Sequence, residues 1–266
     1  MNAESDGGGD GRGRAKPAGG SVDAAEIARF AAIAGEWWDP NGKFKPLHQL
    51  NPVRLDYVRQ RICTHFGRDP LVHGALADLT ILDIGCGGGL LSEPLARQGG
   101  RVTGIDPSEK TVRIARAHAQ ETGVEVAYEA TTVEAMAAAG RRFQVVIAME
   151  VVEHVVDVDG FVAACAQLIE PGGLFIASTI NRTLKAYALA IVGAERVMRW
   201  LPVGTHQYDK LVRPEELERA ATAGGLSVFD TTGMIYNPLF ASWRLGPDLD
   251  VNYLLAAEKP PVDPAG

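Results

Sequence analysis

Several features that would assign this chain to a special class are missing. Its three cysteines, Cys63, Cys86 and Cys165, are odd in number and have no metal-ligand spacing. A disulfide framework or structural zinc site is therefore not expected, and a reducing cytoplasm fits. Basic residues are not in excess: 26 Lys and Arg stand against 33 Asp and Glu, for a formal net charge of -7. Without clustered positive charge there is no footprint for neutralising phosphates, so nucleic acid is set aside as a partner. No apolar run approaches the roughly 20 residues that span a bilayer, and the N-terminus has no continuous apolar stretch of signal-peptide type. What the chain does have is 46% hydrophobic residues over a length of 266. That suits one soluble α/β domain with additions.

Residues 1–21 are Gly-rich and polar, and bury too little apolar surface to offset the entropy of ordering, so a disordered tail is expected there. The remainder, 22–260, reads as a single domain. From Asp23, a candidate N-cap, Ile27, Phe30, Ala31 and Ala34 recur at helical spacing until Gly35. A second helix is expected from Pro52 to about Phe66. These helices and the aromatic turn Trp37-Trp38-Asp39-Pro40 between them make 22–70 an N-terminal helical lid. His48 belongs to it, with Trp37, Trp38 and Phe44 placed to exclude water.

From Leu79 onward, short apolar runs alternate with helical stretches, the pattern of a largely parallel sheet covered on both faces. Strands are expected at about 80–84, 101–105, 125–129, 143–148, 173–179, 226–232 and 250–257. Helices are expected at about 89–98, 108–121, 133–139, 159–169 and 214–223. The fold class is thus α/β, a Rossmann-like seven-stranded sheet with helices on both faces and an insertion at 183–213.

The loop Leu82-Asp83-Ile84-Gly85-Cys86-Gly87-Gly88-Gly89 lets backbone pass close to a ligand and aims helix N–H groups at it. Gly85 and Gly87 are the expected cofactor contacts. Arg101-Val102-Thr103-Gly104-Ile105-Asp106 ends 21 residues after Gly85 in an acid that can accept hydrogen bonds from both ribose hydroxyls. Together they specify an adenosine-type ligand. Asp83 favours S-adenosylmethionine, because its carboxylate would repel the pyrophosphate of a dinucleotide, the alternative, but attract a methionine ammonium.

These segments carry a more specific likeness. Trp37-Trp38-Asp39, Phe44-Lys45-Pro46-Leu47-His48, Asn51-Pro52-Val53-Arg54-Leu55, Met149-Glu150-Val151-Val152-Glu153-His154, Gly204-Thr205-His206 and Tyr236-Asn237-Pro238 occur in that order. From about residue 23 to 258 the chain resembles the ubiquinone-biosynthesis O-methyltransferases. The resemblance implies methyl transfer to a phenolic hydroxyl of polyprenylated catechol and demethylubiquinol substrates. It implies cofactor contacts at Arg54, Gly85, Asp106 and Met149, and participation in a ubiquinone-biosynthesis complex. Arg54 is suited to bidentate capture of a carboxylate, and Met149 to lining the adenine or sulfonium side.

A phenol with a pKa near 10 must lose its proton to become a good nucleophile. Glu150, Glu153 and His154 stand at i, i+3 and i+4 and would project from one helical face beyond the fourth strand. Family members are described with a metal here, so these three are candidate catalytic residues and ligands of a divalent ion, with Mg²⁺ favoured by the hard oxygen substrate. The alternative is a metal-free site in which Glu-His braces the loop and His154 is the base. His206, Asn181 and Arg182 are further substrate-side candidates.

The segment 184–201 has Lys185, Glu195, Arg196 and Arg199 within a wedge of about 100°, opposite an apolar arc. That pattern suits either a covering helix or an interfacial one that would hold the protein on the inner face of an anionic membrane. Two other functions stay open from sequence alone: a methyltransferase for a soluble small phenol, and a membrane-associated scaffold with a vestigial cofactor site.

Overall fold

The structure is a computed structural model that describes residues 23–188 and 208–262. Its centre is an eight-stranded sheet of order β3-β2-β1-β4-β5-β8-β6-β7. The strands are β1 (Thr80–Ile84), β2 (Arg101–Asp106), β3 (Ala127–Ala130), β4 (Phe143–Met149), β5 (Ile169–Ile180), β6 (Ser227–Asn237), β7 (Ser242–Gly246) and β8 (Asn252–Glu258). β3, β2, β1, β4 and β5 are parallel, and β8 enters antiparallel between β5 and β6.

The helices are α1 (Ala24–Ile33), α2 (Lys45–His65), α3 (Ser92–Arg97), α4 (Glu109–Thr122), α5 (Val133–Ala138), α6 (Val158–Leu168), α7 (Leu184–Ala186) and α8 (Pro214–Ala223). Strand alternation sorts the core into two layers. Leu82, Val146, Ala148, Phe175, Ala177 and Leu255 face α5, α6 and α8. Their neighbours Ile81, Val145, Ile147, Leu174, Ile176 and Leu254 face α2 and α3. Burial on both faces explains why these strands read as continuous apolar runs.

Three expectations need correction. The sheet has eight strands rather than seven. The apolar run after Thr232 continues to Asn237 and folds back as β7, whose Trp243 and Leu245 pack on the α2 side. The second helix begins at Lys45, not Pro52. Pro46 is the first-turn proline and Pro52 lies inside the helix, whose early residue Leu50 is buried and whose neighbour Asn51 donates through Nδ2 to the Leu90 carbonyl, 2.7 Å. No helix follows β4 directly: a 3-10 turn, Val152–His154, stands there instead.

α1 matches its sequence signal, with the Asp23 carboxylate accepting from the Ala25 N–H at 2.9 Å. The 3-10 turn Ala34–Glu36 follows α1, and Ala34, Trp37, Phe44 and Leu90 form a small cluster of their own. This cluster sets the N-terminal segment across the carboxyl ends of β1, β2 and β4. Among the described residues no helix is long and apolar enough to cross a membrane.

Candidate functional site

A cavity of about 230 Å³ opens at these carboxyl ends. It is lined by Asp83 near the end of β1 and Gly85 and Gly87 after it, by Asp106 at the end of β2, by Met149 at the end of β4 and Glu150, Glu153 and His154 after it, by Arg54 of α2, and by Glu26, Ile27 and Phe30 of α1. This is the edge where α/β folds bind ligands.

The glycine loop is left-handed at Gly85 (φ 68°) and Gly87 (φ 54°). A Cβ at Gly87 would lie 2.5 Å from the Trp37 indole, and one at Gly88 would lie 2.6 Å from the same side chain. Part of the glycine requirement thus comes from the N-terminal segment resting on the loop. Trp38 reinforces that contact: its Nε1–H donates to the Gly88 carbonyl at 3.0 Å, and its ring stacks on His118 at 3.4 Å.

Two acids flank the loop. Asp83 is buried and accepts from the Ser92 hydroxyl at 2.5 Å. Burial pushes its pKa up to about 6, against the Ser92 hydrogen bond and the Arg54 charge, which lower it. Asp106 accepts from the Ser108 N–H at 2.8 Å, and burial raises it to about 6 as well. A cation beside Asp83 or hydroxyl donors beside Asp106 would recover the solvation that these carboxylates lack.

Arg54 is buried and ion-paired with Glu150, and its second nitrogen donates to Asn51 Oδ1 at 2.9 Å. Its Nε has no partner among the described residues. Glu150 also accepts from the Ser178 hydroxyl at 2.6 Å, and its N–H donates to the Ser178 hydroxyl and carbonyl, each at 3.1 Å. Its φ of 51° is unusual for a residue with a side chain, and such backbone persists where surrounding contacts fix it.

Glu153 is buried at 2% exposure. One oxygen accepts from the Thr179 hydroxyl at 2.7 Å, while Oε1 has no partner among the described residues. Burial raises its pKa, the nearby His154 opposing. His154 instead faces the lid: its Nδ1 is 3.4 Å from the Glu26 carboxylate, and its ring meets Phe30 edge-on with centroids 5.2 Å apart.

The three candidate metal ligands, Glu150, Glu153 and His154, are therefore not brought to one point. The left-handed turn at Glu150 and the single 3-10 turn after it replace the helical face that the spacing suggested. Each side chain engages a different partner. Among the described residues no group of three or more His, Cys, Asp or Glu could hold a metal. The Mg²⁺ site does not fit this geometry.

Met149 reaches the cavity as expected. His48 does not: its Nε2 pairs with the Trp37 carbonyl at 2.8 Å, bracing the lid. Asn181 donates to the Leu249 carbonyl and Arg182 to the Leu211 carbonyl and Glu216, so both tie loops together. His206 and residues 189–201 lie outside the described residues. Glu26, Ser92, Ser178 and Thr179 were not foreseen. Glu26 carried a signal nonetheless, as an acid on the same helical face as Phe30 and Ile33.

A family model described as "Methyltransferase domain" matches residues 82–177. The ubiquinone biosynthesis O-methyltransferase of Agrobacterium fabrum is 58% identical over 240 residues, covering 90% of this chain and 96% of that protein. The protein of the same name from Sinorhizobium fredii is also 58% identical, covering 90% and 97%. Among solved structures, magnesium protoporphyrin IX methyltransferase from Synechocystis PCC 6803 with bound SAH superposes with a TM-score of 0.60 at 22% identity, covering 89% of this chain and 94% of that one. An S-adenosylmethionine-dependent methyltransferase from Clostridium acetobutylicum gives 0.57 at 13% identity, covering 88% and 98%. These two likenesses concern the fold alone.

Proposed function

The chain belongs to the ubiquinone biosynthesis O-methyltransferase family and is an S-adenosylmethionine-dependent O-methyltransferase, and from that premise we propose that it methylates a phenolic hydroxyl of polyprenylated catechol and demethylubiquinol intermediates. One observation carries the reading. A single cavity holds the desolvated acids Asp83 and Asp106 beside the glycine loop together with the Glu153 and His154 pair.

The cofactor fits these residues. Gly85 and Gly87 give the close backbone approach, Asp106 accepts the ribose hydroxyls, Asp83 faces the ammonium, and Arg54, oriented by Glu150, faces the carboxylate. Met149 lines the sulfonium side. When bound, S-adenosylmethionine supplies an activated methyl group whose leaving atom departs as a neutral thioether. His154 takes the phenol proton, and Glu153, through the oxygen that Thr179 does not hold, accepts a hydrogen bond from the acceptor ring's hydroxyls. Ile27, Phe30 and Trp37 exclude water, which strengthens both interactions. No step passes through a metal. In this reading 22–70 is the lid and 183–213 the substrate-side insertion. A peripheral contact through 184–201 with an anionic membrane, and membership of a biosynthetic complex, belong to the same proposal.

The test is product analysis with prenylated catechol, demethylubiquinol and their unprenylated counterparts, each with and without Mg²⁺ or chelator. Methyl ethers should form from the prenylated substrates and persist in chelator. Equal turnover of the unprenylated phenols would move the substrate class to soluble phenols, and loss in chelator would mean that Glu150 leaves Arg54 for a metal.

A further inference from the structure

We propose that Glu26, carried by the lid helix α1, is the positioning residue of the base His154, so that the base is complete only when the lid lies over the site. The inference rests on His154 acting as the base.

Glu26 is 6% exposed, and a carboxylate withdrawn that far from water stays ionised only with compensating partners. It has three, from three parts of the chain. Arg29 pairs with it one turn along α1, and Lys210 approaches Oε1 at 3.5 Å. His154 Nδ1 lies 3.4 Å from Oε2. Burial alone would raise the acid, but the His154 and Arg29 contacts more than offset it and hold Glu26 at about 2. Phe30, one helical turn on, sets its ring against the imidazole at 77° and fixes the imidazole plane.

A carboxylate at Nδ1 selects the tautomer with its proton on Nδ1 and leaves Nε2 as the basic nitrogen. As the phenol oxygen takes the methyl, the carbon–sulfur electron pair stays on sulfur and the phenol proton moves to Nε2. The imidazolium so formed faces an ionised Glu26, and its proton passes to solvent once the lid opens. A simpler role for Glu26 would be to anchor the lid through Lys210, which also binds Asp23 at 3.0 Å. The two roles separate by mutation, because removing Lys210 loosens the anchor and leaves the carboxylate on His154.

The full-length chain is tested as Glu26→Gln, Glu26→Asp and Lys210→Met, measuring kcat, KM for the catechol, cofactor affinity by calorimetry, and melting temperature. In parallel, ¹⁵N NMR of the wild-type protein reads the His154 tautomer, assigned by loss of its signals in His154→Asn. Glu26→Gln should lower kcat about tenfold to a hundredfold, a fraction of what a general base contributes, with KM and cofactor affinity within about twofold. Glu26→Asp should recover part of the rate, Lys210→Met should keep most of it, and the tautomer should carry its proton on Nδ1. Equal loss of kcat in Lys210→Met and Glu26→Gln, or a proton on Nε2, would overturn the assignment. If the Glu26 variants do not fold, the wild-type tautomer decides alone. A wild-type protein inactive on every phenol would instead remove the base reading.

Discussion

The two walls of the cavity are built differently. The cofactor wall is built mainly from one short stretch, Asp83 to Asp106, on neighbouring parallel strands whose register places Ile84 beside Ile105, with Arg54 and Met149 completing it. The acceptor wall is assembled across the chain: Glu153 and His154 follow β4, Thr179, which holds Glu153, comes 26 positions later, and Glu26 comes from the first helix. The first wall is set chiefly by the sheet, with Trp37 and Trp38 resting on its glycine loop, whereas the second exists only when α1 lies over it. Damage to the first should therefore appear in binding and damage to the second in turnover.

The largest effect is expected on the acceptor wall. His154→Ala and Glu153→Gln should each lower kcat by about 10²- to 10⁴-fold, the range for a positioned acid or base, with little change in cofactor affinity. Steady-state rates paired with calorimetry check this. A parallel loss of cofactor binding would show that the two walls act as one unit. Next comes the cofactor wall, where Asp106→Ala should lose about 1.5–3 kcal/mol of cofactor affinity, the range for hydrogen bonds to a charged group. The same titration that detects no change would remove Asp106 from the ribose.

The same contrast decides what could be read in advance. The parallel strands, the glycine loop and Asp83 and Asp106 follow from local pattern, since turn chemistry, strand period and the spacing of the acid are near-neighbour properties. β7 was not legible, because its alternation covers only the five residues Ser242 to Gly246 and it is packing against the α2 side that holds Trp243 and Leu245. The start of α2 was misplaced because two prolines, Pro46 and Pro52, both offer a first-turn signal, and only the packing around Phe44 and Leu50 chooses between them. At Glu150, Glu153 and His154 the residue types were identified, but their shared face was inferred from a helical period that the left-handed Glu150 breaks. Glu26 was not singled out, because an acid beside an apolar helical face does not by itself mark a site.

A smaller effect tests where the walls touch. Gly87→Ala meets both a left-handed φ and the Trp37 indole, and should destabilise the fold by about 2 kcal/mol. Trp37→Ala combined with Gly87→Ala should recover the steric part and leave the backbone part, as a double-mutant cycle in urea would resolve. Strict additivity would mean that the indole does not press on the loop.

The smallest effect is in pH dependence, and its sign differs between the walls. Asp83 and Asp106 are raised by burial from 3.8 to about 6, so folding favours their protonated forms. In the free protein this pair opposes folding above about pH 6, and stability from it rises as pH falls through that value toward 3.8. Glu26 is lowered from 4.5 to about 2, so its contribution is present above pH 4.5 and lost as pH falls below it. The free protein should therefore gain stability from the cofactor wall between pH 7 and 5 and lose it from the lid below 4.5. Cofactor binding should run the other way, because it needs Asp106 ionised to accept the ribose hydroxyls. Protonation of Asp106 near pH 6 should weaken affinity about tenfold between pH 7 and 5, or about 1.4 kcal/mol, protonation of Asp83 in the same range should add a comparable loss, and affinity should be flat above pH 7. Calorimetry from pH 5 to 8 measures this directly. Asp106→Asn should remove the Asp106 share of the slope, since the amide has no proton to take up, and leave the Asp83 share. Affinity that is constant from pH 5 to 8 in the wild-type protein would mean that the acids beside the glycine loop are not the groups that hold the cofactor.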